Sequence, residues 1–585
     1  MSILQIFNKK WDINFFNKLS KIIKDFSITK KIFFYFLCVI FISSSLVLLN
    51  KVNNLISKQV PTNGGFLKEG IIGAPRFINP VLAMSDADND LTFLIYSGLL
   101  KSSKNNILIP DLAQSYEISP DGLVYAFILK DNIYFHDGKK ITTDDIEFTI
   151  DKIQDSIIKS PKRPRFYDVK VEKINNKEIK FILKKPYSSF LESLTVGILP
   201  KHLWENLNSE QFSQSQYNIE PIGSGPYKIS KMETLKKNIL LIPTYYELIA
   251  FNKYAGGMPF INMFIIKFYK DEKSLIDGYN KKEIEAMNSI SPEKIINLKN
   301  QKKTEINTAV LPRIFAIFFN QNQSEVLAYK EVRQALNLAI DKNKIINDVL
   351  FNYGKSLSSP IPIGFINNQN DDIKNSDIDG AINLLKKNNW VKSSSTGIMS
   401  KKISKTKTIQ LSIIISTLNS PDLIQTAELV KSDWEKIGAQ VEIKQFDFGD
   451  LQQNIIRPRK FDALLYGEVI GRDMDFFAFW HSSQRNDPGL NISMYTNTKV
   501  DKLLEDARKT SDILEGINKD KIFSEEIQKD IPVIFLYSPE FIYIVNDKIK
   551  GLALENIASP FERFLNINNW YIETNNVWKI FLNIN

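Results

Sequence analysis

The sequence predicts a mixed α/β body carried behind one N-terminal membrane-spanning helix. Three observations predict it. Ile32–Leu49 reads IFFYFLCVIFISSSLVLL, with no charged residue. From Gly65 onward the apolar pattern switches repeatedly between period 2 and period 3.6. Residues 410–446 read strand, helix, strand, a crossover that places two parallel strands in one sheet.

At 1.5 Å per residue the apolar run spans about 27 Å, enough for the hydrocarbon core. Residues 1–60 hold nine Lys against Asp12 and Asp25, so most of the formal charge of +9 sits in this stretch. Lys30 and Lys31 directly precede the run with five more Lys upstream, and only Lys51 and Lys58 follow it. This bias predicts a cytoplasmic basic tail over 1–31, a transmembrane anchor over 32–50, a polar linker over 51–63 and an extracytoplasmic body. A cleaved signal peptide is the alternative. It calls for a shorter apolar region followed by a small-x-small site, whereas Ser43–Ser45 lies inside the run. Trp11–Phe26 carries a helical apolar stripe that either lies on the inner leaflet or is a solvated flank.

Within the body, Leu91–Leu100 reads as a helix. Leu123–Leu129 is a strand entered through the Pro120-Asp121-Gly122 turn, and Asp137-Gly138 makes a second turn. Thr143 is the expected N-cap of a helix with Asp144 and Asp145 in its first turn. Ile314–Phe319 and 461–466 read as strands, and 326–340, 379–388, 499–509 and 514–529 as helices. In the crossover, Leu411–Ser416 leads to a helix opened by Pro421 and stopped by Gly438, and Val441–Phe446 follows.

Composition removes several kinds of chemistry. Outside the N-terminal stretch the chain is nearly neutral, which gives no basic face for nucleic acid. Cys38 is the one cysteine and lies in the apolar run. The three histidines, His136, His202 and His481, are far apart, and none begins an HExxH pair. Gly354-Lys355-Ser356 lacks the earlier glycine of a phosphate loop. Asp86–Asp90 lacks the turn glycine and the final Glu of a calcium loop. Gly223-Ser224-Gly225 is not a nucleophile elbow. We expect no enzyme, no cofactor and no bound metal.

Motifs in a fixed order carry a resemblance. They are Leu108–Glu117 (LIPDLAQSYE), Pro120-Asp121-Gly122, Phe127–Lys130, Phe135–Gly138 and Thr142–Ile146. Pro221–Lys228 (PIGSGPYK), Val332–Leu336, Ala339–Asp341, Trp434–Gly438, Phe479–Ser483, Val500–Leu504 and Pro560–Phe564 (PFERF) follow. Over about 66–575 the chain resembles solute-binding protein family 5, the extracytoplasmic receptors of peptide and nickel ABC importers. The resemblance implies a two-lobed fold of the periplasmic-binding-protein-like type II, with lobe I over 64–312 and 533–585 and lobe II over 313–532. Two chain crossings near Pro312 and Pro532 would form a hinge. It implies a monomer that closes on a peptide and delivers it to an ABC permease with its ATPase subunits. Alternatives within the fold are a metal chelate, a sugar, or a surface scaffold or chaperone without transport.

In the peptide-binding branch, a loop Asp after a lobe II strand holds the peptide amine. Aligned through Asp475 that position falls on Arg472, and a one-residue slip gives Asp473. Arg472 would instead bind an anion or pair with Asp475. Glu468 stands where an aromatic is often found, and Tyr466 precedes it on the strand. Tyr227 is expected near the cleft after a tight turn. Asn320, at the end of its strand, is expected to meet ligand backbone or start a loop, and Tyr96 to lie in core or cleft. Trp480 and His481 read as structural, and Arg333 as an internal salt-bridge partner.

Overall fold

The computed structural model describes residues 21–103, 107–187, 189–237, 240–299, 301, 303–362, 375–472, 474–510, 513–554 and 557–582. Two compact units emerge, one from the chain ends (up to Thr62 and from Glu573) and one from Asn63–Ile572.

The first unit is built on the helix Ile28–Ile56, none of whose residues is buried within the protein. It leads directly into the strand Ser57–Pro61, which pairs antiparallel with Thr574–Trp578 so that Ser57 faces Trp578 and Pro61 faces Thr574. The expected linker over 51–63 is therefore the end of a helix followed by a paired strand. The polar sequence hid this because its partner lies more than five hundred residues away.

The second unit is organised on a twelve-stranded mixed sheet. Its long strand Val533–Asn546 pairs with Arg313–Phe319 through Val533–Tyr537, and with Thr304–Val310 through Glu540–Asn546. Each stretch packs on its own side chains. One set of buried apolar residues runs over 67–311 and 541–570, the other over 314–537. We assign these two sets to lobe I and lobe II of the two-lobed fold. One chain crossing falls at Pro312, between paired strands; along the returning strand the partners change between Tyr537 and Glu540, past Pro532.

The local signals act as their chemistry dictates. Ser412–Leu418 and Gln440–Phe446 pair in parallel around the helix Pro421–Lys436. Gly438 stops the helix at φ +86°, and a Cβ there would meet Met399 Cγ at 2.9 Å. The helix Thr143–Gln154 is capped by Thr142, not Thr143, in a reciprocal box with Asp145. Thr143 is wholly buried and donates to the Asn175 carbonyl at 2.6 Å. Asp86–Ile95 is a helix with a Ser85/Asp88 capping box, which ends one turn earlier than the sequence suggests. Among the described residues Arg333 pairs with no carboxylate: its guanidinium donates to the carbonyls of Leu327, Ala328, Asp530 and Ile531 at 2.7–3.1 Å. Trp480 is in the lobe II core, and His481 stacks on Phe477 with centroids 4.0 Å apart.

Candidate functional site

A cavity of about 360 Å³ lies between the lobes. Its lobe I walls come from the end of the Asp86–Ile95 helix, Leu100–Ser102, Asp111, Lys162 to Phe166, Glu192 to Gly197, and the turn holding Phe561 and Glu562. Lobe II contributes Val469 to Arg472, the exit of the strand Ala463–Val469. Strand ends converge here because side chains beyond the last ladder bonds are free to point into the gap.

Arg472 crosses that gap. Its guanidinium bonds Glu562 of lobe I, and its Nε lies 3.5 Å from Glu192 Oε1, also of lobe I. All three side chains are largely withdrawn from water. Burial pushes Glu562 above the usual carboxylate range, while Arg472 and the Ala558 N–H, which donates at 2.7 Å, pull it back. Arg472 does not pair with Asp475, contrary to one expectation. Asp475 accepts from Arg508 Nε at 2.8 Å instead.

Deeper in lobe I, Tyr96 and Asp111 are 5% and 3% exposed and line the cavity. Among the described residues the Tyr96 hydroxyl has no hydrogen-bond partner, and Asp111 Oδ1 faces the Lys101 ammonium at 3.6 Å. Gly197 lets Tyr96 take this place, since a Cβ there would meet Tyr96 Cβ at 2.5 Å. Burial raises the Asp111 carboxyl; Lys101, 3.6 Å away, and Ser97 oppose it. Across the wall, burial and the neighbouring Arg165 lower the Lys162 ammonium. The cavity thus offers both signs of charge.

Of the sequence candidates, Tyr96 and Arg472 line this space, and Tyr96 follows the helix as its C-cap. Asp473 lies outside the described residues. Tyr227 is not at the cleft: it is wholly buried in lobe I, donating to the Ile261 carbonyl at 3.0 Å. Asn320 is not among the residues lining this cavity. Its amide donates to Arg459 O at 2.7 Å, and its Oδ1 accepts from the N–H groups of Asn322 and Gln323, so it shapes its own loop. Tyr466 accepts from Gln452 at 2.7 Å, away from the cavity wall. Glu468 is also off that wall, and burial pushes it up to about 8 against the pull of Arg459.

Sequence reasoning missed Glu192, Glu562, Asp111 and Lys101. Asp111 and Glu562 stand inside quoted motifs, and the apolar neighbours of Glu562-Arg563 in PFERF were a signal that these charges are buried. The adjacent Arg563 turns inward to Glu69 and Asp90, with Nη2 distances of 2.7 and 2.6 Å.

A two-lobed α/β body with a charged cavity between the lobes defines a solute-binding protein of the periplasmic type. The chain belongs to the bacterial extracellular solute-binding proteins, family 5, whose profile matches residues 108–488. It is 27% identical over 526 residues to the oligopeptide-binding protein AppA of Bacillus subtilis, covering 88% of this chain and 92% of that one. The solved AppA of Bacillus subtilis, in complex with a nonapeptide, superimposes with a TM-score of 0.66 at 26% identity, covering 88% and 100% of the two chains. NikZ of Campylobacter jejuni, in complex with Ni(L-His), gives 0.65 at 29%, with coverage of 86% and 99%. CtaP of Listeria monocytogenes gives 0.73 at 26%, with coverage of 87% and 100%.

Proposed function

We propose that this protein is the membrane-anchored receptor of an ABC importer. It binds short peptides by closure of its lobes and delivers them unaltered to a permease driven by ATPase subunits. The carrying observation is the cavity enclosed by both lobes, because a ligand that touches both stabilises the closed arrangement. Walls bearing both carboxylates and cations suit a zwitterion with a free amine and a free carboxylate. The volume sits near the lower end of small-molecule sites, which favours a short peptide. Similarity to peptide-binding AppA supports the same class.

The amine has two candidate carboxylates: Asp473 from the sequence and Asp111 from the geometry. Lys162 and Arg165 are the candidates for the carboxylate end. The N-terminal lysine bias and the helix Ile28–Ile56 support an uncleaved anchor with the body outside the cell. The body acts as a binding protein and not as an enzyme, as a single copy, with a tether that keeps it beside its permease.

Native mass spectrometry of the full-length protein extracted in detergent tests the reading. A mixture of short peptides is expected, lost on Asp473→Ala. Retention in that variant with loss on Asp111→Asn moves the amine site to lobe I. Absence of any peptide, with no binding of a di- to pentapeptide library, overturns the peptide assignment. The intact mass of the mature chain separates anchor from signal peptide.

A second reading is a nickel chelate, favoured by the likeness to NikZ in its Ni(L-His) complex. No histidine is among the lining residues, so the metal would arrive with its own ligands. Stoichiometric nickel in the purified protein supports that reading.

A further inference from the structure

The unit formed by the chain ends holds a feature that solute capture does not use. The strand Ser57–Pro61 leads away from the spanning helix, so its antiparallel partner Thr574–Trp578 runs back toward the membrane. Trp578 stands opposite Ser57, and its indole N–H donates to Asn53 Oδ1 on the helix at 2.8 Å. Asn53 is four residues past Leu49, the last residue of the uncharged run, so the indole lies about 6 Å beyond the apolar span. That is the depth of the headgroups, where tryptophan is enriched.

Past Trp578 the chain turns through Lys579–Phe581. Ile580 and Phe581 are 66% and 59% exposed, and Phe581 stacks near Trp578 with ring centroids 6.3 Å apart. Lys579 follows Trp578 in the chain and Lys58 stands opposite Val577 in the strand pair, both exposed. Exposed aromatic and aliphatic side chains, interspersed with lysines at this depth, match the chemistry of an anionic lipid interface. Val52, Leu55 and Ile56 at the end of the helix are exposed apolar side chains as well.

We propose that the C-terminal turn, Trp578 to Phe581, is a second membrane contact, seated in the outer-leaflet headgroups beside the spanning helix. It rests on the anchor reading above. Both strands of the Ser57–Pro61 and Thr574–Trp578 pair are then held beside the bilayer, and their pairing fixes the exit of the helix.

The test uses the full chain in phosphatidylcholine–phosphatidylglycerol vesicles containing brominated lipid, in a Trp11→Phe background that removes the other tail indole. The five remaining tryptophans are buried in the body. Bromine quenching is expected, and is lost in Trp578→Phe. Phe581→Glu is expected to red-shift the emission and weaken quenching while leaving the fold intact by circular dichroism. Chain retained in vesicles after carbonate extraction, with equal quenching with and without Trp578, overturns the proposal while sparing the anchor. Release of the chain by carbonate overturns the anchor and this contact together.

Discussion

Two buried arginines, Arg563 and Arg472, show how the same ion-pair chemistry serves different ends. Arg563 is 1% exposed and sits wholly inside lobe I. It bonds Glu69 and Asp90, while Tyr543 donates to Glu69 at 2.8 Å. Every partner belongs to the same packed unit, so the network can only open if lobe I opens. Arg472 reaches from lobe II to Glu562 and Glu192 of lobe I, so these two contacts would break if the lobes parted. The neighbours Glu562 and Arg563 therefore divide between a cavity wall and a core. What decides the role of a buried charge is whether its partners move with it.

The largest effect should come from Arg563→Met. Glu69 and Asp90 would remain buried without a counter-charge, a loss of about 3–5 kcal/mol. Loss of soluble folded protein, or a large drop in the urea midpoint, is expected, and an unchanged midpoint breaks the comparison. The same substitution at Arg472 should leave both lobes folded. It should populate the open form, seen as longer spin-label distances between lobes, and weaken ligand binding about tenfold, equivalent to ~1.4 kcal/mol.

Glu468 sharpens the contrast, because burial outweighs the opposing pull of Arg459 on it. Its folded value of about 8 lies above the ordinary value of 4.5. Between these values the folded state keeps a proton that the unfolded state releases, so stability falls as pH rises through that window and levels above it. Glu468→Gln should match the wild type in melting temperature at the acid end and exceed it at the alkaline end. Part of the slope should persist through Asp520, which burial and then Asp475 push up to about 7. The smallest effect is expected from Tyr227→Phe, which deletes one neutral hydrogen bond inside lobe I. Stability should drop by about 1 kcal/mol by urea titration, with ligand affinity unchanged. A loss of affinity would return Tyr227 to the cleft.

Local elements were legible where the signal is local. The 410–446 crossover has a proline start, a glycine stop and two apolar strands, and it folds as read. The N-cap shifted by one residue, from Thr143 to Thr142, because two adjacent threonines offer the same hydroxyl and only the backbone register chooses between them. The candidate site was far less legible. Tyr227 and Asn320 follow turns or strand ends like many cleft residues, yet each bonds its own neighbourhood.

The order and spacing of the motifs, the apolar run and the lysine bias follow from the chain alone, since each depends on residues close in sequence. Packing between distant segments decided the rest. It set Arg472 against Glu562 across the cavity, turned Arg563 inward beside it, and paired Ser57–Pro61 with a strand at the other end of the protein. Side-chain period fixes which face a residue takes on its own element; what that face meets depends on segments hundreds of positions away.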